Sequence, residues 1–195
     1  ASSGAPAGEI EPPIHEEIAP HPVSPYGASK LAGEGYCSSY AKTFGINTVI
    51  LRFGNVYGPG SKHKFSVVAK FIKNVLNGLS CEIYGDGTQT RDFIFINDLV
   101  SAIIKASQLQ MGGEIFQIAS GSELTILELA ELLNDIFPEF GYEMKIKFGE
   151  KLVGDVQRNY SNTTKAMDIL GWSACTDLES GLKQTIINLK NTAFR

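Results

Sequence analysis

Residues 24–60 read SPYGASKLAGEGYCSSYAKTFGINTVILRFGNVYGPG. Pro25 is compatible with a helix start, where a missing N–H costs nothing. From Tyr26 to about Phe44 no proline intervenes, and the Ala, Leu, Glu and Lys present favour a helix. Gly45 stands where a left-handed residue would close it. Thr48 to Phe53 is a short β-rich run that predicts a buried strand, followed by a loop from Gly54 to Gly60. A helix feeding a buried strand is the alternation on which α/β proteins are built.

The alternation continues in both directions. Residues 1–24 read as loop: small residues first, then a proline-rich stretch (Pro12, Pro13, Pro20, Pro22 and, at the junction, Pro25). Val67 to Leu76 predicts a helix closed by Asn77-Gly78. Glu82–Tyr84 and Arg91–Ile96 predict strands around the turn Gly85-Asp86-Gly87. Asn97 or Asp98 can cap a helix to about Ser107. Glu114–Ala119 predicts a second buried strand. Thr125 opens a helix over 126–137, with Glu128 completing a capping box. Met144–Phe148 predicts a strand, and 163–170 and 178–189 predict helices separated by Gly171-Trp172.

Composition bounds the function. The 195 residues are 43% apolar and 19% charged, as in a soluble globular protein, with a formal charge of −4. That balance excludes a general nucleic-acid binder. No apolar run approaches the ~20 residues that span a bilayer. The three cysteines, Cys37, Cys81 and Cys175, lack metal-ligand spacing, and an odd number excludes a complete disulfide framework. Reduced thiols suit a cytoplasmic protein with no metal centre.

Tyr26 and Lys30 are four apart on the predicted helix and so share a face. A free phenol titrates near ~10 and is a poor base at neutral pH. A neighbouring ammonium and the positive end of a helix both favour the phenolate. A phenol tuned in this way can take a proton from an alcohol hydroxyl. Ser2-Ser3 lies upstream, and a serine hydroxyl can share that proton. By itself the Tyr26/Lys30 spacing is also common on structural helices.

Further segments join this pair: Leu51-Arg52-Phe53-Gly54-Asn55-Val56-Tyr57-Gly58-Pro59, Gly85-Asp86-Gly87-Thr88-Gln89-Thr90-Arg91-Asp92-Phe93, Gly154-Asp155-Val156 and Leu170-Gly171-Trp172. In that order the chain resembles the extended short-chain dehydrogenase/reductase family, among its NAD-dependent sugar-nucleotide epimerases and dehydratases, close to UDP-glucose 4-epimerases. The resemblance implies a catalytic set of Ser3 (Ser2 being the neighbouring alternative), Tyr26 and Lys30. It implies NAD as cofactor, held by Tyr26, Lys30, Phe53 and Gly54. It places Asn55, Val68, Ile83, Tyr84, Arg91 and Asp155 against a nucleotide-diphosphate sugar. Arg91 suits the diphosphate because a guanidinium forks onto phosphate oxygens. An arginine often precedes the family's Gly-Asp; here Leu152-Val153 stand there, leaving Lys151 or Arg158 as a second phosphate contact.

The resemblance implies the C-terminal part of a Rossmann-type parallel sheet, its last two strands being Thr48–Phe53 and Glu114–Ala119, plus a small α/β substrate-binding lobe. Residues 1–60 and 97–122 are assigned to the Rossmann part, and 61–96 and 123–195 to the lobe. The family's glycine-rich dinucleotide turn does not occur, so the expectation is a fragment, inactive alone and with negligible NAD affinity. Relatives suggest a homodimer through helices 26–44 and 67–76. Dehydratases of the family carry an acid that follows a threonine (Thr-Asp-Glu); Ser3-Gly4-Ala5 has no carboxylate there, which favours epimerisation at C4 through a 4-keto sugar. A dehydratase or reductase of the same family, or a non-catalytic nucleotide-sugar or protein-binding module, is the alternative. His63 is either an extra acid/base or a solvated loop residue.

Overall fold

A computed structural model describes residues 1–152, 154 and 156–193. Three parallel strands form its main sheet in the order β1 (Ser2–Ser3), β2 (Thr48–Phe53) and β7 (Gly112–Ile118). Two of these match the expected strands. The third, β1, lies in the stretch read as loop, because two residues are too few to show a period.

Helix α1 (Pro25–Phe44) crosses from β1 to β2. The Ser24 hydroxyl caps it by accepting from Gly27 N at 3.0 Å. Gly45 closes it at φ 67°, donating to Ala41 O at 3.1 Å. Its outer face carries Tyr36, Tyr40 and Phe44, all exposed and one turn apart. On the other side of the sheet, α3 (Ile96–Ser107) and α5 (Thr164–Leu170) bury Leu99, Ala102, Ala166, Leu170 and Trp172 against Leu51, Phe116 and Ile118. The indole Nε1 of Trp172 donates to Asp98 O at 3.0 Å.

A second apolar cluster joins α2 (Val67–Leu76), α4 (Ile126–Ile136) and α6 (Leu178–Ala193). It also includes Cys81 and Ile83 of β4 (Cys81–Tyr84), which pairs parallel with the largely exposed β9 (Ile146–Gly149). Val68, Phe71, Ile72 and Val75 of α2 all point inward, so this helix, unlike α1, presents polar residues outward. The capping box of α4 forms as expected: Thr125 Oγ1 accepts from Glu128 N at 3.0 Å, and Thr125 N donates to Glu128 Oε2 at 2.8 Å.

The run 91–96, expected to be one strand, is divided. β5 (Thr90–Arg91) pairs antiparallel with β8 (Leu124–Thr125), whereas β6 (Phe93–Phe95) pairs parallel with β3 (Asn55–Tyr57), a segment expected to be loop. Asp92 between them explains the break. Only 1% exposed, its carboxylate accepts from Ser120 N at 2.7 Å, Ser120 Oγ at 2.6 Å, Gly121 N at 3.0 Å and Ser161 N at 3.2 Å. Burial pushes its carboxyl above the ordinary range despite these four donors. The side chain thus ties three segments together at the point where the chain changes partners. Asp92→Ala strands buried N–H groups and is expected to lower stability by about 2–3 kcal/mol. The check is a lower urea midpoint at unchanged m-value.

Helix α3 begins at Ile96, before either expected cap. Asp98 does not cap it; its carboxylate instead accepts from Thr176 N at 3.0 Å and the Cys175 thiol at 3.1 Å.

Candidate active site

A cleft of about 620 Å³ opens beyond the carboxyl ends of β1 and β2, between the main sheet and α2, β4 and β5. This is within the ~300–1,000 Å³ usual for small-molecule sites, and it lies where open α/β sheets bind ligands. Ser3, Tyr26, Phe53, Gly54, Asn55, Val68, Tyr84 and Arg91 all line it, so eight of the residues singled out from the sequence meet in one cavity.

On the sheet side, Tyr26 sits in the first turn of α1 with its ring 55% exposed. The ammonium of Lys30 lies 5.7 Å from the centre of that ring. It also donates to Ala1 O at 3.2 Å, next to a smaller cavity of about 240 Å³ bordered by Ser2 and Glu34. The two adjacent serines differ in their commitments. Ser2 is buried and donates to Glu34 Oε1 at 2.5 Å. Ser3 Oγ accepts from Ala5 N at 3.3 Å and is half-buried at the cleft.

The helix is fixed to the sheet by an ion pair. Arg52 on β2 forks onto Glu34 of α1, Nε to Oε1 at 2.9 Å and Nη2 to Oε2 at 2.7 Å, with both residues nearly inaccessible to solvent. Gly54 allows the backbone to pass closely behind the cleft floor. A Cβ there would meet Asp92 O at 3.0 Å and Ala119 Cβ at 3.1 Å. Its N–H bonds Ile118 O at 2.9 Å, and Asn55 N bonds Asp92 O at 2.7 Å.

On the opposite wall, β4 alternates faces. Ile83 was expected to flank the ligand together with Tyr84, but its side chain is 0% exposed and packs in the core. Tyr84 is the one facing the cleft. Arg91 Nη1 donates to Thr90 O at 2.6 Å and to Val156 O at 2.7 Å, which fixes the guanidinium at the cleft wall. Asp155 lies outside the described residues. Lys151 reaches Gln157 Oε1 at 3.4 Å and borders a different, minor crevice. Arg158 is held by Glu123, Nε to Oε1 at 2.8 Å, and also by Glu11, away from the cleft. His63 is exposed and lies outside the cleft lining.

Lys64, Lys70 and Glu82 also line the cleft without having been singled out from the sequence, and Gln89 joins them from the quoted Gly85–Phe93 motif, where it was given no role. Lys70 Nζ donates to the Tyr84 hydroxyl at 3.1 Å and lies 5.0 Å from its ring centre. Gln89 Nε2 donates to Tyr84 O at 3.0 Å. Glu82 pairs with Lys147 across β4 and β9 at 3.0 Å; that hydrogen bond, with a smaller contribution from the charge of Lys70, holds the Glu82 carboxyl below its ordinary range. A single lysine on an amphipathic helix reads as a solvated face, so only the packing of α2 against β4 reveals Lys70.

Residues 1–119 match the family model described as the NAD dependent epimerase/dehydratase family. A putative UDP-glucose 4-epimerase of Methanocaldococcus jannaschii is 36% identical over 194 residues, covering 98% of this chain and 62% of the relative. The UDP-glucose 4-epimerase of Mycolicibacterium smegmatis is 32% identical over 181 residues, covering 92% and 57%. The crystal structure of UDP-glucose 4-epimerase with UDP-glucose from Thermotoga maritima superposes with a TM-score of 0.91 at 34% identity, covering 98% of this chain and 62% of that one. The UDP-glucuronic acid 4-epimerase of Bacillus cereus, in complex with UDP-glucuronic acid and NAD, gives a TM-score of 0.89 at 32% identity, covering 98% and 60%. The chain therefore spans less than two thirds of the length of these relatives.

Proposed function

The chain belongs to the NAD-dependent epimerase/dehydratase family, and from that premise we propose that it forms the substrate-binding and acid/base part of an enzyme that inverts C4 of a nucleotide-diphosphate sugar. The observation that carries this reading is the meeting of Ser3, Tyr26, Asn55, Tyr84 and Arg91 around one cleft. The two solved relatives described above hold UDP-sugars, which supports that class of ligand.

The residues present fit NAD. The Lys30 ammonium is exposed and within one helical turn of Tyr26, a place from which it can meet a ribose hydroxyl. Phe53 and Gly54 border the same space, and Gly54 adds no side chain to it. NAD, when bound, supplies the acceptor and donor of hydride at the sugar carbon. Tyr26 takes the proton of the C4 hydroxyl as that carbon is oxidised and returns it when the ketone is reduced. Ser3 can donate to the same sugar oxygen. Arg91 would anchor the diphosphate and leave the 4-keto sugar free to turn over and present its other face.

Elimination needs a carboxylic acid near the sugar. Among the described residues lining the cleft, Glu82 is the carboxylate, and it is tied to Lys147 on the nucleotide wall. This supports epimerisation over 4,6-dehydration. The outward stripe of Tyr36, Tyr40 and Phe44 supports α1 as the contact in a homodimer.

The test is to incubate the protein that carries this sequence with NAD and UDP-glucose, UDP-glucuronate or dTDP-glucose and to follow the sugar by proton NMR. The expected product is a 4-epimer of one of them. A 4-keto-6-deoxy sugar would overturn the C4 assignment in favour of dehydration.

A further inference from the structure

A nucleotide sugar presents two phosphates, and taking both out of water requires cations or N–H donors on each. Arg91 provides one guanidinium. The arginine that the resemblance leads one to expect before Gly154-Asp155 is replaced by Leu152-Val153. Neither candidate substitute is available: Lys151 faces another crevice, and Arg158 already carries two carboxylates.

Lys70 occupies the space they leave. It lines the cleft from α2, and its stem is half-buried, so its ammonium has few alternative positions. The Tyr84 hydroxyl accepts one of its three protons at 3.1 Å, and the Tyr84 ring lies under it at 5.0 Å. Among the described residues no carboxylate forms an ion pair with it, and the nearby Glu82 is bridged to Lys147 at 3.0 Å. An ammonium so held keeps two donors and most of its charge for a ligand. The first residues of α2, Ser66 to Val68, border the same cleft. Ser66 makes no side-chain cap bond there, so the positive end of the helix adds to the field of Lys70.

Building on the nucleotide-sugar reading above, we infer that Lys70 is the second cation on the ligand's diphosphate, replacing the family's arginine from a different element, with Tyr84 as its positioning residue. A point charge on a flexible stem follows phosphate oxygens without the fixed fork of a guanidinium. The site therefore recognises phosphate charge from two elements of the wall facing the main sheet: Arg91 of β5 and Lys70 of α2.

Calorimetric titration of the protein with UDP, UMP and uridine tests this, comparing the unchanged protein with Lys70→Met, Lys70→Gln and Lys70→Arg. Lys70→Met is expected to weaken UDP by about 10- to 100-fold, the usual effect of losing a charge-assisted bond. Uridine affinity stays the same, and Lys70→Arg restores most of the UDP affinity. Lys70→Gln, which keeps the stem polar, reports the same loss should the methionine variant fold poorly. Equal weakening of UDP and uridine overturns the inference, since Lys70 would then act only by supporting the Tyr84 wall. Unchanged UDP affinity overturns it as well. If the unchanged protein binds none of the three, the nucleotide-sugar reading itself falls; if it binds UDP and the variants match it, only the role of Lys70 does.

Discussion

Tyr26→Phe is expected to lower turnover of the nucleotide sugar by about 10²–10⁴-fold, the range for a positioned acid/base group. The expectation follows from what the substitution leaves alone. The ring is 55% exposed, and among the described residues no protein group hydrogen-bonds its hydroxyl. Phenylalanine therefore keeps the packing, the helix cap at Ser24 and the cleft wall, and removes only the proton acceptor. Thermal unfolding and UDP affinity should match those of the unchanged protein, while kcat falls and KM changes little, the pattern of an interaction made in the transition state. A loss below tenfold would remove Tyr26 from the chemistry and leave the cleft as a binding site, the non-catalytic alternative raised by the sequence.

The sequence made much of this legible, and the rest was hidden for identifiable reasons. Helix α1, strands β2 and β7 and the capping box of α4 were readable because each depends on local signals: proline and serine at a start, glycine at an end, a β-branched run, threonine followed by glutamate. Tyr26, Asn55 and Arg91 could be named because their neighbours form an ordered series of motifs, although nothing local brings them to one cleft. The division at Asp92 was not readable. Its cause is a set of donors 28 to 69 residues further along the chain, which no window over 91–96 contains. Ile83 and Tyr84 illustrate a missed local rule. Strand residues alternate faces, so two neighbours could not both flank one ligand, and the buried–half-buried alternation of β4 assigns Ile83 to the core. Lys70 lay beyond any such rule, since its meaning depends on which strand α2 packs against.

The Arg52–Glu34 pair connects fold and chemistry most directly. Glu34→Leu is expected to destabilise the protein by about 3–5 kcal/mol, the cost of leaving one charge of a buried pair without its partner. Arg52 is 3% exposed, and its Nη1 already lacks a hydrogen-bond partner. Loss of Glu34 would strand the other guanidinium donors and the Ser2 hydroxyl as well. Glu34→Leu combined with Arg52→Met removes both charges and should recover most of that stability, because apolar replacements of a buried pair are often neutral or better. Urea denaturation of the four proteins gives the coupling directly. A single-variant cost below about 1 kcal/mol would mean that water reaches the pair, as at a surface bridge. The double variant then separates stability from positioning. Glu34 lies one turn beyond Lys30 and two beyond Tyr26, and it fastens α1 to β2 while holding Ser2 of β1, next to Ser3. If the pair orients that helix, the double variant folds well yet turns over slowly, with UDP affinity intact because Arg91, Lys70 and Tyr84 stand on the other wall. If it serves stability alone, turnover returns together with the urea midpoint.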